Sequence, residues 1–137
     1  MAAAAFQLPV LDVNALIALG FINHEAHGRP AAWVQSQNSA NLASCSITEI
    51  GLVRVLSQAP AYGFTVTQAR TLLLRLKEAR TSPLKFIPDE HDVSHLPAWV
   101  RAPKQITDGH LSKLAVANAA VLATLDENIP GSFLIPK

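Results

Sequence analysis

A single cysteine, Cys45, leaves the chain without a partner for an intrachain disulfide, so the sequence asks for no oxidising compartment. An excess of one charge is also missing: 11 Lys and Arg stand against 10 Asp and Glu, for a formal net charge of +1. That excludes a globally basic nucleic-acid binder, and any such contact must come from a local patch. Charged residues amount to only 15%, which does not fit a self-repelling disordered chain. No hydrophobic run is long enough to cross a bilayer, since the longest apolar-rich stretch, residues 114–125, is short and holds Asn118. The opening, Met1 to Phe6, has no basic segment and too brief an apolar run for a secretory signal. Repeats and linkers are absent, and the leading alanines are the one low-complexity tract. The expectation is a soluble cytoplasmic protein, a single domain over residues 1–137 with no membrane role.

What the chain does have is apolar material, 50% of its 137 residues, enough for a core without a disulfide or a structural metal. With so little charge, some apolar surface should stay uncovered on a monomer, and a homodimer is expected. The pattern predicts a strand over 8–11 that ends at Asp12. Leu16, Ile17 and Leu19 then predict a helix closed by Gly20. A second helix is expected over 24–37, disturbed early by Gly28-Arg29-Pro30, and a weak strand over 41–44. Ile50, Val53 and Leu56 predict a helix over 46–58. Ala69, Leu72, Leu73 and Leu76 make 67–79 the clearest helix. A strand at 84–87, mostly loop over 88–105, a helix at 107–119, a strand at 121–125 ending at Asp126 and a last strand at 133–135 complete the order. Strands alternating with helices imply an α/β fold with a mainly parallel sheet.

Four of the ten acids stand at element junctions. Asp12 and Asp126 each end an apolar strand, while Glu49 and Asp108 lie in first turns of helices. In a parallel sheet those places share one rim, where ligands bind. Asp12 falls on a helical face with Leu16 and Leu19, Glu49 with Val53 and Leu56, and Asp108 with Leu111 and Ala115, so each continues a core-facing stripe. Carboxylates gathered at one rim repel, and a hard divalent cation such as Mg²⁺ or Mn²⁺ relieves the repulsion. Such an ion can activate water or polarise a phosphoryl oxygen. Each acid also has an ordinary reading. Asp12 can be a helix cap, Ser46 and Glu49 can form a capping box, Thr107 can cap the helix of Asp108, and Asp126-Glu127-Asn128 can be a turn.

Val10-Leu11-Asp12-Val13-Asn14-Ala15-Leu16-Ile17, Ser46-Ile47-Thr48-Glu49-Ile50-Gly51-Leu52-Val53-Arg54-Val55, Thr107-Asp108-Gly109-His110-Leu111 and Leu122-Ala123-Thr124-Leu125-Asp126 follow in that order. Together they resemble the four acidic motifs of PIN domains, most nearly the VapC group, toxins of bacterial toxin–antitoxin pairs. The resemblance runs from about Leu8 to Ile135. It implies a PIN-like three-layer α/β fold, a mainly parallel central sheet flanked by helices. It implies a Mg²⁺- or Mn²⁺-dependent endoribonuclease that cuts RNA, forms a homodimer and is inhibited by a cognate VapB-type antitoxin. Asp12, Glu49, Asp108 and Asp126 match the acidic positions that hold metal and carry catalysis. Asn14 and Thr124 match polar positions that support those acids.

Other readings compete. His91 with His95, or His24 with His27, has a spacing that can hold zinc on a helix, but no thiol other than Cys45 is available. His110, two residues after Asp108, reads as a surface or interface side chain, and Asp89 as a loop acid without a role. Arg70 and Lys77 share a helical face and are candidate RNA contacts. Arg54 can pair with a rim carboxylate or snorkel, and Cys45 reads as core. A phosphoacceptor signalling domain also places acids at strand ends, yet it needs an adjacent acidic pair after the first strand, where only Asp12 stands, and a lysine at a late strand end, whereas no lysine follows the last strands until Lys137. A catalytically inactive RNA- or partner-binding module on the same fold is the remaining alternative.

Overall fold

A computed structural model describes residues 7–37 and 41–137. Its strands are β1 (Leu8–Leu11), β2 (Leu42–Ser44), β3 (Leu84–Phe86), β4 (Ala120–Thr124) and β5 (Phe133–Leu134). Its α-helices are α1 (Val13–Gly20), α2 (Gly28–Ser36), α3 (Ser46–Gln58), α4 (Val66–Lys77) and α5 (Ile106–Ala117). Short 3₁₀ turns at Val93–His95 and Pro103–Gln105 punctuate the connection from β3 to α5. All strand pairs are parallel, in the order β3-β2-β1-β4-β5.

The central strands β1, β2 and β4 are covered on both faces, with side chains alternating between them, while the edge strands β3 and β5 leave Phe86, Phe133 and Leu134 exposed. Leu11, Leu42 and Ala123 join one core with α1, α3 and α4, where Leu16, Leu52 and Leu56 are fully buried. Val10, Ala43 and Leu122 join the other with Leu111, Leu114 and Ala115 of α5. Fully burying one such leucine is worth about 1.5–3 kcal/mol. The α/β expectation holds, and the sheet is wholly parallel.

The helix expected over 24–37 is shorter. Proline has no N–H to give and is tolerated only in a first turn, so Pro30 sets the start at Gly28 and residues 21–27 run as hydrogen-bonded turns. The helix over 46–58 has the expected bounds. It meets α1 closely at Gly51, where a Cβ would sit 2.6 Å from Val13 Cγ2. That contact places the starts of both helices, and so Asp12 and Glu49, against the same sheet edge.

The order of strands reverses direction between β1 and β4. Beyond their carboxyl ends lies the crevice that such a reversal opens. Asp12 follows β1 there, and Thr124 and Asp126 close β4.

Candidate active site

Asp12 is the most buried of the four acids, at 6% exposure. It caps α1, accepting a hydrogen bond from the Ala15 amide at 2.8 Å. The ordinary reading of Asp12 is therefore correct, but it is incomplete. Burial pushes its carboxyl above the usual range, the Thr124 hydroxyl and the Ala15 amide pull it back, and the charges of Asp108 and Asp126 push it up again. Burial raises Asp108 as well, and the charge of Asp126 adds to the rise. Asp12, Asp108 and Asp126 thus feel one another across the crevice.

Asp108 lies half-buried in the first turn of α5. That helix starts at Ile106 after Gln105, with no side-chain cap, so Thr107 does not cap it. Asp126 is exposed and accepts from the Asn128 amide at 2.8 Å, which makes its segment the turn expected of it. The Thr124 hydroxyl, fully buried, accepts from the Asp126 amide at 3.0 Å while it bonds Asp12. One hydroxyl therefore ties two of the acids together. Asn14 lies exposed in the first turn of α1.

Glu49 is placed differently. The cap of α3 is Cys45, and Thr48 closes it by accepting from the Cys45 amide at 3.0 Å. The Ser46–Glu49 capping box is therefore corrected: the helix begins one residue too early for it. Glu49 turns instead to Ser44, whose hydroxyl donates at 2.7 Å, and to Lys77 of α4, whose ammonium lies 2.8 Å away. Lys77 also sits 5.2 Å from the centre of the Phe86 ring. The candidate RNA-binding lysine is thus engaged with an acid, while Arg70 and Arg54 are exposed and outside every ion pair among the described residues.

Among the described residues, ion pairs engage Glu49, Asp89, Asp92 and Glu127, and none engages Asp12, Asp108 or Asp126. Nor do three or more His, Cys, Asp or Glu side chains form a ready-made metal-ligand group there. The arrangement is an open, all-oxygen rim carrying uncompensated negative charge. Such a rim can accept a hard cation that keeps most of its waters, whereas a closed cage would strip them.

The histidines go elsewhere. His24 accepts from the Ala26 amide, and His27 bonds the Ala18 carbonyl, so that pair shares no ligand position. The His91 and His95 rings meet edge-on with centroids 4.9 Å apart. His110 is mostly shielded, and its Nε2 bonds Asp89. Asp89, read from sequence as a loop acid without a role, is therefore structurally engaged, and no local pattern in residues 88–92 signals it. Ser44 was missed too, although its place at the end of β2 was a usable signal. Cys45 is fully buried, as expected. A groove of mixed lining, with Tyr62, Phe64 and Leu72 beside Gln68, Thr71 and Arg75, has none of the four acids in its wall. No helix among the described residues is long and apolar enough to cross a membrane.

No family model matches the chain. Curated relatives do. The chain is 36% identical over 126 residues to Ribonuclease VapC44 of Mycobacterium tuberculosis, spanning 88% of this chain and 87% of that protein. Ribonuclease VapC29 of the same organism is 32% identical over 121 residues, with 88% and 86% spanned. Ribonuclease VapC38 is 30% identical over 126 residues, with 89% and 87% spanned.

Proposed function

The chain belongs to the VapC ribonucleases, and on that premise we propose that it is a Mg²⁺- or Mn²⁺-dependent endoribonuclease, the toxin of a toxin–antitoxin pair. The observation that carries this reading is the electrostatic strain at the crevice. Asp12 and Asp108 are both held above their ordinary values, first by burial and then by neighbouring charge, Asp108 and Asp126 acting on Asp12 and Asp126 on Asp108, with no basic side chain paired to any of the three among the described residues. A divalent ion is the counter-charge such a site lacks.

Asp12, Asp108 and Asp126 would hold the ion, with Glu49 reaching it through water. When bound, the ion supplies Lewis acidity and an activated water for phosphodiester cleavage. The chain's own groups prepare the site. The Ala15 amide and the Thr124 hydroxyl fix the Asp12 carboxylate. Thr124 also pins the backbone at Asp126. Ser44 and Lys77 fix Glu49, and Lys77 keeps a cation beside it that a substrate phosphate could meet.

Cleavage of defined single-stranded RNA should require Mg²⁺ or Mn²⁺, stop with chelator and return on adding the ion. Cleavage that continues in excess chelator would sink the metal-dependent reading. Homodimerisation is part of the same reading and rests on the family resemblance. Membership of the VapC ribonucleases supports a VapB-type antitoxin as its partner, and a co-expressed cognate partner should suppress cleavage.

A further inference from the structure

We propose that Asp89 and His110 form a clasp whose role is to position Asp108, so that both are positioning residues for the acidic site. The inference rests on Asp108 being a metal-holding residue. The first turn of α5 carries Asp108 and has no side-chain cap of its own. Two features outside the helix hold that turn. His110 Nε2 donates to Asp89 Oδ2, and Asp89 Oδ1 accepts from the His91 amide at 3.0 Å, which ties the carboxylate to the loop after β3. That loop is itself anchored, because Ile87 is buried and its amide donates to the Ser44 carbonyl at 2.8 Å.

The second feature lies on the helix between Asp108 and His110. At Gly109 the loop lies flush on the helix: a Cβ there would fall 2.2 Å from Val100 Cγ2 and 3.3 Å from Pro97 Cδ. Val100 is β-branched and cannot swing aside freely. The loop therefore grips the turn at Gly109 by contact and at His110 by a hydrogen bond. Asp108 is the residue just before that grip. With its helix end fixed to the edge of the sheet, Asp108 is kept at the crevice despite the repulsion from Asp126. Groups that orient metal-holding side chains in this way typically change metal affinity by about tenfold or more when removed.

The test is Mn²⁺ affinity by calorimetry, on the full chain, well below its melting temperature. His110→Ala and His110→Leu should each weaken Mn²⁺ binding by roughly tenfold. His110→Gln keeps a donor near Nε2 and should bind within a factor of about two of the parent. Asp89→Ala should match His110→Ala, and the double variant should be no weaker than either single, because the pair acts as a unit. Should an alanine variant fail to fold, His110→Leu and Asp89→Leu fill the space without a hydrogen-bonding group and carry the same test. Asp108→Asn separates the two levels. If it loses Mn²⁺ while every clasp variant binds like the parent, the clasp is wrong and the metal site stands. A His110→Gln variant as weak as His110→Ala also overturns the clasp, since bulk rather than the hydrogen bond would then be responsible. If the parent binds no Mn²⁺, or Asp108→Asn binds as tightly as the parent, the metal reading falls and the clasp falls with it.

Discussion

Lys77 and Glu49 form an ion pair of 2.8 Å, so one of the four acids brings its own cation to the rim. Ser44 donates to the same Glu49 oxygen, Oε2, at 2.7 Å. Among the described residues the rim is therefore three carboxylates without an ion-pair partner and one with its own. The sequence gives no hint of this division, because all four acids look alike at their junctions.

Lys77→Gln should release Glu49 to the acids and raise Mn²⁺ affinity by a few-fold, while RNA binding weakens and KM rises. Both partners are partly exposed, so folding stability should change by less than about 1 kcal/mol. Mn²⁺ titration alongside steady-state cleavage reads both effects. A fall in Mn²⁺ affinity would mean that Lys77 orders Glu49 for the ion.

Asp12→Asn should stabilise the metal-free protein at neutral pH. Burial and the charges of Asp108 and Asp126 hold the Asp12 carboxyl above 3.8 in the folded chain. Below about pH 3.8 the group is protonated folded or unfolded and costs nothing. As pH rises through the higher folded value, the unfolded chain has already released its proton, and stability is lost. Asparagine keeps the acceptor for the Ala15 amide and removes the charge. The melting temperature in chelator should exceed the parent's by a few degrees at pH 7, and the gap should close toward pH 3.5. RNA cleavage should fall by orders of magnitude in the same variant. A variant that melts higher but cuts normally would falsify a metal-holding role for Asp12.

Thr124→Val and Thr124→Ser separate hydroxyl from shape. Valine fills the buried space but leaves the Asp126 amide without its acceptor and Asp12 without its donor. The expected cost is about 1–3 kcal/mol in urea unfolding, with a parallel drop in cleavage. Serine keeps the hydroxyl and should retain most of both. Equal behaviour of the two variants would show that the hydroxyl bridge does nothing for the site.

Asp89→Asn should flatten the acid side of the stability profile. Burial raises this carboxyl, but the hydrogen bond from His110, the His91 amide and the charges of both histidines outweigh it and hold it below 3.8. The stability it adds is complete above about pH 3.8 and is lost as pH falls through the lower folded value. Parent and variant should therefore differ most near pH 5 and converge in strong acid. Acid unfolding followed by circular dichroism checks this, and superimposable curves would contradict it.

Much of the fold was legible because its cause is local and periodic. Ile50, Val53 and Leu56 gave the helix at 46–58, and the apolar runs ending at Asp12 and near Asp126 gave the two strands beside the crevice. Ends were less legible where a cap decided them: Cys45 and Thr48, not Ser46 and Glu49, start the third helix. The placement of Asp12 at a parallel strand end could be read from topology alone. Partners could not. Lys77 meets Glu49 and His110 meets Asp89 only because separate elements pack together, and spacing along one helix says nothing about side chains on another.

The pairing of Leu8 with Ala120 and of Leu11 with Ala123 joins segments more than a hundred residues apart. Contacts of such long range are slow to form, because the whole intervening chain must be closed into a loop first. Asp12 leaves the ribosome early, Thr124 and Asp126 late, and the crevice between them cannot exist until β4 has slotted in beside β1. If the acids carry cleavage as proposed, a nascent chain that lacks β4 would hold no complete site, however much helix it has already made. On the proposed reading, cutting power would arrive in one step, when the two halves of the sheet close.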